Sequence, residues 1–137
     1  MSTLVIDTIQ GKTTAGSVNV RGEGSNNTNL QQGLAKVFSS LSHESSTPTA
    51  KDTFNVASYT DNNTGVVTVN YTNNMTIANH CVVAMANYRE SSAQLKNIAR
   101  NENSSFNTSL HILITGEGTW TLKDGENISS VATGDLS

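Results

Sequence analysis

The chain has 137 residues, enough for one domain with a modest core; 35% are hydrophobic and 14% charged, and Asn, Ser, Thr and Gly fill the deficit. A net charge of -3, with eight Lys and Arg scattered from Lys12 to Lys123, supplies no basic footprint for a phosphate backbone, so nucleic acid is excluded as a partner. The apolar runs CVVAMA and ILI are far too short to span a bilayer, and MSTLVIDTIQG has no basic or apolar leader, so the reading is no membrane insertion and assembly in a cytoplasm.

In chain order, residues 3–9 (TLVIDTI) alternate, and glycine-separated β-like pieces follow in QGKTTAGSVNVRGEGSNNT. Large apolar residues are too few here for independent folding. Residues 1–32 therefore read as an extended attachment and trimerisation segment in which Leu4, Ile6 and Ile9 drive assembly with other copies of the chain. Residues 33–137 read as a β-sandwich domain of about seven short strands, and the fold class is all-β and antiparallel.

Within that domain, LAKVFSSL (34–41) is followed by a polar linker, SHESSTPTA, that holds Pro48. The period-2 pattern predicts a hairpin with arms 53–60 and 66–72 and a turn at 61–65. Phe54 and Val56 share one direction, Val67, Val69 and Tyr71 line one face, and Asp61, Asn62, Asn63 and Gly65 tolerate left-handed backbone. HCVVAMANY (80–88) is apolar on both faces, as in a central strand, with Cys81 a small buried hydrophobe. As the only cysteine, Cys81 closes no disulfide within the chain and builds no cysteine-based zinc site. Residues 89–105 admit a short helix capped at Ser91 or Ser92, or an irregular strand, with a lean to strand. SLHILITG places Leu110, Ile112 and Ile114 on one face, and GTWTLKDGEN suggests a second hairpin turning at Lys123-Asp124-Gly125.

The three histidines limit any acid–base chemistry. His43 falls in the linker, His80 precedes a strand and His111 lies opposite the Leu110 and Ile112 face; no pair has the spacing of metal ligands, so no metal or cofactor is expected. The nearest carboxylates, Glu117, Asp124 and Glu126, read as a solvated hairpin tip rather than a glycosidase pair. Tyr88, Arg89, Trp120 and Asp124 are the candidate ligand-binding residues. Amphipathic rings beside neutral Asn- and Ser-rich loops suit sugar faces and hydroxyls such as those of a host cell-surface glycan.

Across residues 3–86 the order of elements resembles a domain of tail-fibre and other appendage proteins of tailed bacteriophages, especially those of marine cyanobacterial hosts. The matching residues are Gly33 to Lys36, Asp52 to Val56, Thr60, Asp61, Thr64, Gly65, Thr68 to Asn70, Thr72, Met75, Asn79, Val82 and Val83. The chain departs at Phe38, where the family usually has Trp, and at His80-Cys81, where an aromatic is common. The resemblance implies a non-enzymatic virion protein, a homotrimeric tail fibre or short appendage for host attachment. The alternative is a capsid decoration protein that cements the head, and a glycan depolymerase is a weaker third reading. All three place the protein in the virion, beside other tail or capsid proteins.

Overall fold

The computed structural model describes residues 5–12, 18–21, 25, 27–30, 34–78, 80–87, 97–100, 107–117 and 121–137. Its strands are β1 (Asn19–Arg21), β2 (Asn27–Asn29), β3 (Ala35–Ser42), β4 (Thr49–Phe54), β5 (Val56–Asn63), β6 (Val66–Tyr71), β7 (Cys81–Asn87), β8 (Asn97–Arg100), β9 (Leu110–Glu117), β10 (Thr121–Leu122) and β11 (Asn127–Thr133). The chain divides into two compact units, Met1–Leu34 and Ala35–Ser137. In the first, β1 and β2 form an antiparallel pair with Val20 opposite Thr28. Ile6 and Ile9, two of the residues assigned to assembly, are exposed, and Leu4 lies outside the described residues.

The second unit is an antiparallel β-sandwich. One sheet runs β4-β3-β11-β7; the other runs β10-β9-β6-β5, with β8 also paired to β9. Period-2 alternation sends Val37 and Leu41 of β3, Val67, Val69 and Tyr71 of β6, Leu113 of β9, and Ile128 and Ala132 of β11 into the space between the sheets, where Met75 joins them. This apolar set is small, and Ser39, His43, His80, His111, Thr115 and Ser130 are buried as well.

One residue makes the sandwich from a single hairpin pattern. β4 pairs with β3 and β5 pairs with β6, so the chain changes sheets between Phe54 and Val56. Asn55, the residue between them, has φ 57, a left-handed conformation that Asn tolerates better than most residues. Its Nδ2 donates to the carbonyls of Lys36 (3.0 Å) and Asn73 (3.1 Å), and its Oδ1 accepts from the Asn73 N–H (2.7 Å), which holds the corner from both sides.

This corner corrects part of the sequence reading. The pairing of the two arms holds, with Tyr59 opposite Val69 and Thr60 opposite Thr68. Residues 53–54, however, belong to the other sheet, so Phe54 is exposed while Val56 packs on the core. The turn is also shorter than expected: Asp61 to Asn63 remain in β5, and Thr64 and Gly65 make the reversal. Gly65 has φ 70, and a Cβ there would lie 2.5 Å from the Thr115 carbonyl oxygen, so only glycine fits.

β7 is an edge strand, not a central one, and Cys81 is exposed, because the alternate residues Cys81, Val83 and Met85 face away from the core. The buried face of β9 is His111, Leu113 and Thr115 rather than Leu110, Ile112 and Ile114, since pairing with β6 sets His111 beside Val69 and Leu113 beside Val67. The Lys123-Asp124-Gly125 segment does not turn a hairpin; it carries the chain from β10 in one sheet to β11 in the other. Of residues 89–105, Asn97–Arg100 form a strand, and the others lie outside the described residues.

Asn55→Ala removes four side-chain hydrogen bonds and leaves a left-handed alanine. Urea denaturation should show a loss of about 1–3 kcal/mol, with the β-sheet circular dichroism of the folded state retained.

Candidate functional site

Two polar clusters lie inside the sandwich. In the first, the Tyr71 hydroxyl sits between two imidazoles, 2.6 Å from His80 Nε2 and 2.7 Å from His111 Nδ1. The far nitrogen of His111 is 3.0 Å from Ser130 Oγ, and His80 Nδ1 is 3.4 Å from the Ile77 carbonyl. A carbonyl only accepts, so His80 donates from Nδ1 and its Nε2 accepts from the Tyr71 O–H. With neutral rings the remaining roles follow: His111 Nδ1–H donates to the Tyr71 oxygen, and Ser130 O–H donates to His111 Nε2. The chain of bonds runs from β6 and β9 across to β11, joining the two sheets. Tyr59 makes a second crossing, its hydroxyl 2.8 Å from Ser39 Oγ on β3. Burial pushes the Tyr59 pKa above its ordinary 10.0, against a smaller lowering by the Ser39 hydrogen bond.

The second cluster closes one end of the sandwich. His43 follows β3 and is 1% exposed, with Nε2 3.2 Å from Asp61 Oδ1 on β5 and Nδ1 3.4 Å from Asp124 Oδ1. These are ion-pair distances without the alignment of good hydrogen bonds. The Asp124 carboxylate also accepts the Gly65 N–H at 2.5 Å. The segment from Lys123 to Glu126 is tied down at each step. Lys123 N–H donates to Thr115 O, His43 N–H donates to Gly125 O at 2.8 Å, and Glu126 N–H donates to Asn87 O. Lys51 Nζ donates to Glu126 O at 3.0 Å. Beside this knot lies an open depression of about 340 Å³ lined by Glu44, Thr64, Lys123 and Asp124. It offers carboxylates, a hydroxyl and an ammonium on a backbone that is already fixed, which suits a polar ligand.

Of the candidate ligand-binding residues, Tyr88, Arg89 and Trp120 lie outside the described residues. Asp124 lines the depression, but its Oδ1 is occupied by Gly65 and His43, so its first role is to hold the loop. The sequence reading missed His43 as a buried group, although the signal was present: Val37, Ser39, Leu41 and His43 continue one period-2 face. It also treated His80 and His111 separately, because nothing local announces that Tyr71 will stand between them.

Comparison with known proteins gives no match to a family model, to a curated protein or to a solved structure.

Tyr71→Phe keeps the ring and strips the shared hydroxyl from two buried imidazoles. The expected loss in chemical denaturation is about 1–3 kcal/mol, the ordinary penalty for orphaned buried polar groups. Tyr59 gives a pH dependence of known sign. Its folded pKa is raised, so above pH 10.0 the unfolded chain releases the phenolic proton more readily than the folded one, and stability falls as pH rises through that range. Denaturation midpoints followed from pH 8 to 11 should decline above pH 10, and less steeply in Tyr59→Phe.

Proposed function

We propose that the chain is a non-enzymatic structural protein of a bacteriophage virion, a tail fibre or short appendage that assembles as a homotrimer and presents loops to the host surface. The observation that carries this reading is the use made of the histidines. His43, His80 and His111 are 1%, 3% and 1% exposed, and each contributes to joining one sheet to the other. Imidazoles used in this way stiffen a scaffold and are shut off from a substrate in solvent.

The residues that carry the resemblance to phage appendage domains support the same reading, because several of them occupy architectural positions. Asn55 turns the sheet corner, Asp61 faces His43, Gly65 makes the only turn that fits against Thr115, and Met75 is buried in the core. The pinned Lys123–Glu126 segment and its adjoining depression give such a scaffold a rigid polar rim, suited to the hydroxyls of a host glycan. Contacts of this shallow kind gain about 10²–10⁴ in avidity when several copies engage together.

Sedimentation equilibrium at micromolar concentration should give a trimer, weakened by removing residues 1–24 while the sandwich stays folded; a monomer would overturn the homotrimer. Imaging of the intact particle should find the protein on a tail appendage. Density on the shell instead would assign it to capsid decoration.

A further inference from the structure

Asp124 is the one aspartate or asparagine in the chain that is followed by glycine. Such a pair is chemically labile in an unfolded chain, because glycine leaves its own N–H unhindered and lets the backbone turn freely. The Gly125 nitrogen attacks Asp124 Cγ; the N–C bond forms, and a carboxyl oxygen departs as water with the amide proton. The five-membered imide then takes up water again. Opening at Cγ restores aspartate, and opening at the main-chain carbonyl carbon of Asp124 gives isoaspartate, whose backbone is one methylene longer. Water is the only co-reactant, and nothing is oxidised or reduced.

The fold holds both members of this pair. Asp124 Oδ1 accepts the Gly65 N–H at 2.5 Å and stands 3.4 Å from His43 Nδ1. Gly125 is buried, and its carbonyl accepts the His43 N–H at 2.8 Å. A Cβ on Gly125 would lie 3.0 Å from Ile128 Cγ1 and 3.6 Å from the Asn87 carbonyl oxygen, so the backbone has little room to turn. On one side Lys123 N–H donates to Thr115 O at 3.1 Å and Thr115 Oγ1 donates to Lys123 O; on the other, Glu126 N–H donates to Asn87 O at 3.2 Å. Forming the imide takes the carboxylate away from Gly65 and His43 and moves Gly125 against these contacts. The longer backbone of isoaspartate fits no better, since its neighbours on both sides are tied.

We propose that Asp124-Gly125 is a site of isoaspartate formation that the intact sandwich keeps closed, and that His43 holds it closed. His43 touches both members of the pair, with its ring at Asp124 and its N–H at the Gly125 carbonyl. Its other ring nitrogen is 3.2 Å from Asp61 Oδ1 on β5, so the same residue ties the segment to the opposite sheet. Reaction therefore waits on local opening of residues 123–126. Each conversion displaces the carboxylate that walls the depression lined by Glu44, Thr64, Lys123 and Asp124, so the depression ages with the segment. The inference is independent of the virion reading.

The test is the rate of isoaspartate formation at residue 124, read by peptide mapping with electron-transfer fragmentation. The full chain is incubated in one buffer, folded in one sample and unfolded by urea in the other. The folded chain should convert more slowly by about tenfold or more, since opening must precede the chemistry. His43→Gln keeps the N–H and removes the ring contacts; with folding checked by circular dichroism, it should convert about threefold or more faster than the folded wild type. Should that variant fail to fold, Asp61→Asn, which removes the charge on the far side of the ring, carries the expectation in the same direction. A folded wild type that converts as fast as the unfolded chain overturns the inference, and so does a folded variant that converts no faster than the wild type.

Discussion

A tyrosine hydroxyl shared by two buried imidazoles is the contact on which the rest of this sandwich depends. The chain has few large apolar residues to place between its sheets, and among the described residues only Leu41, Met75, Leu113 and Ile128 are both large and fully buried aliphatic side chains. Polar groups fill the remaining space, and buried polar groups are tolerable only when they are satisfied. The Ser130, His111, Tyr71 and His80 chain meets that condition and adds a property that aliphatic packing lacks. Hydrogen bonds are directional, so the β6–β9 pair can sit in one position against β11 and the segment before β7.

The other devices follow the same logic of fixing sheets and loops by named polar contacts. Asn55 turns the chain from one sheet to the other, and its amide ties the corner to β3 and to Asn73. His43 stands between Asp61 and Asp124 at the end of β3, so the loop that returns to β11 is anchored to both sheets. A chain low in charge and in hydrophobic content thus holds its two sheets together with a small apolar core and a set of named polar contacts.

Much of this was legible in the sequence, and the misses have physical causes. The all-β class and the β5–β6 pairing followed from period-2 faces in which Val67, Val69 and Tyr71 alternate with polar residues. The sheet change at Asn55 did not, because alternation is continuous through Phe54 and Val56 and only one backbone angle separates a long strand from a corner. β9 was read on the wrong face because Leu110, Ile112 and Ile114 outweigh His111 and Thr115 in hydrophobicity. The deciding terms were hydrogen bonds to Tyr71, Ser130 and the Lys123 carbonyl, which come from distant parts of the chain. β7 looked central because both its faces are apolar, and hydrophobicity alone does not show that Cys81, Val83 and Met85 face away from the core. As for the candidate site, Asp124 was read at the turn of a second hairpin, whereas it lies in the segment that crosses between the sheets, and its partners His43 and Gly65 are brought to it only by the fold.

The hydrogen-bond order through Tyr71 makes a claim about individual protons, and a long-range ¹H–¹⁵N correlation spectrum of the histidine side chains at neutral pH reads them directly. The account predicts that His80 and His111 both carry their proton on Nδ1, each with a bare Nε2 and each in slow exchange with solvent. A proton on Nε2 of either ring, or the averaged signal of freely exchanging solvated imidazoles, would contradict it.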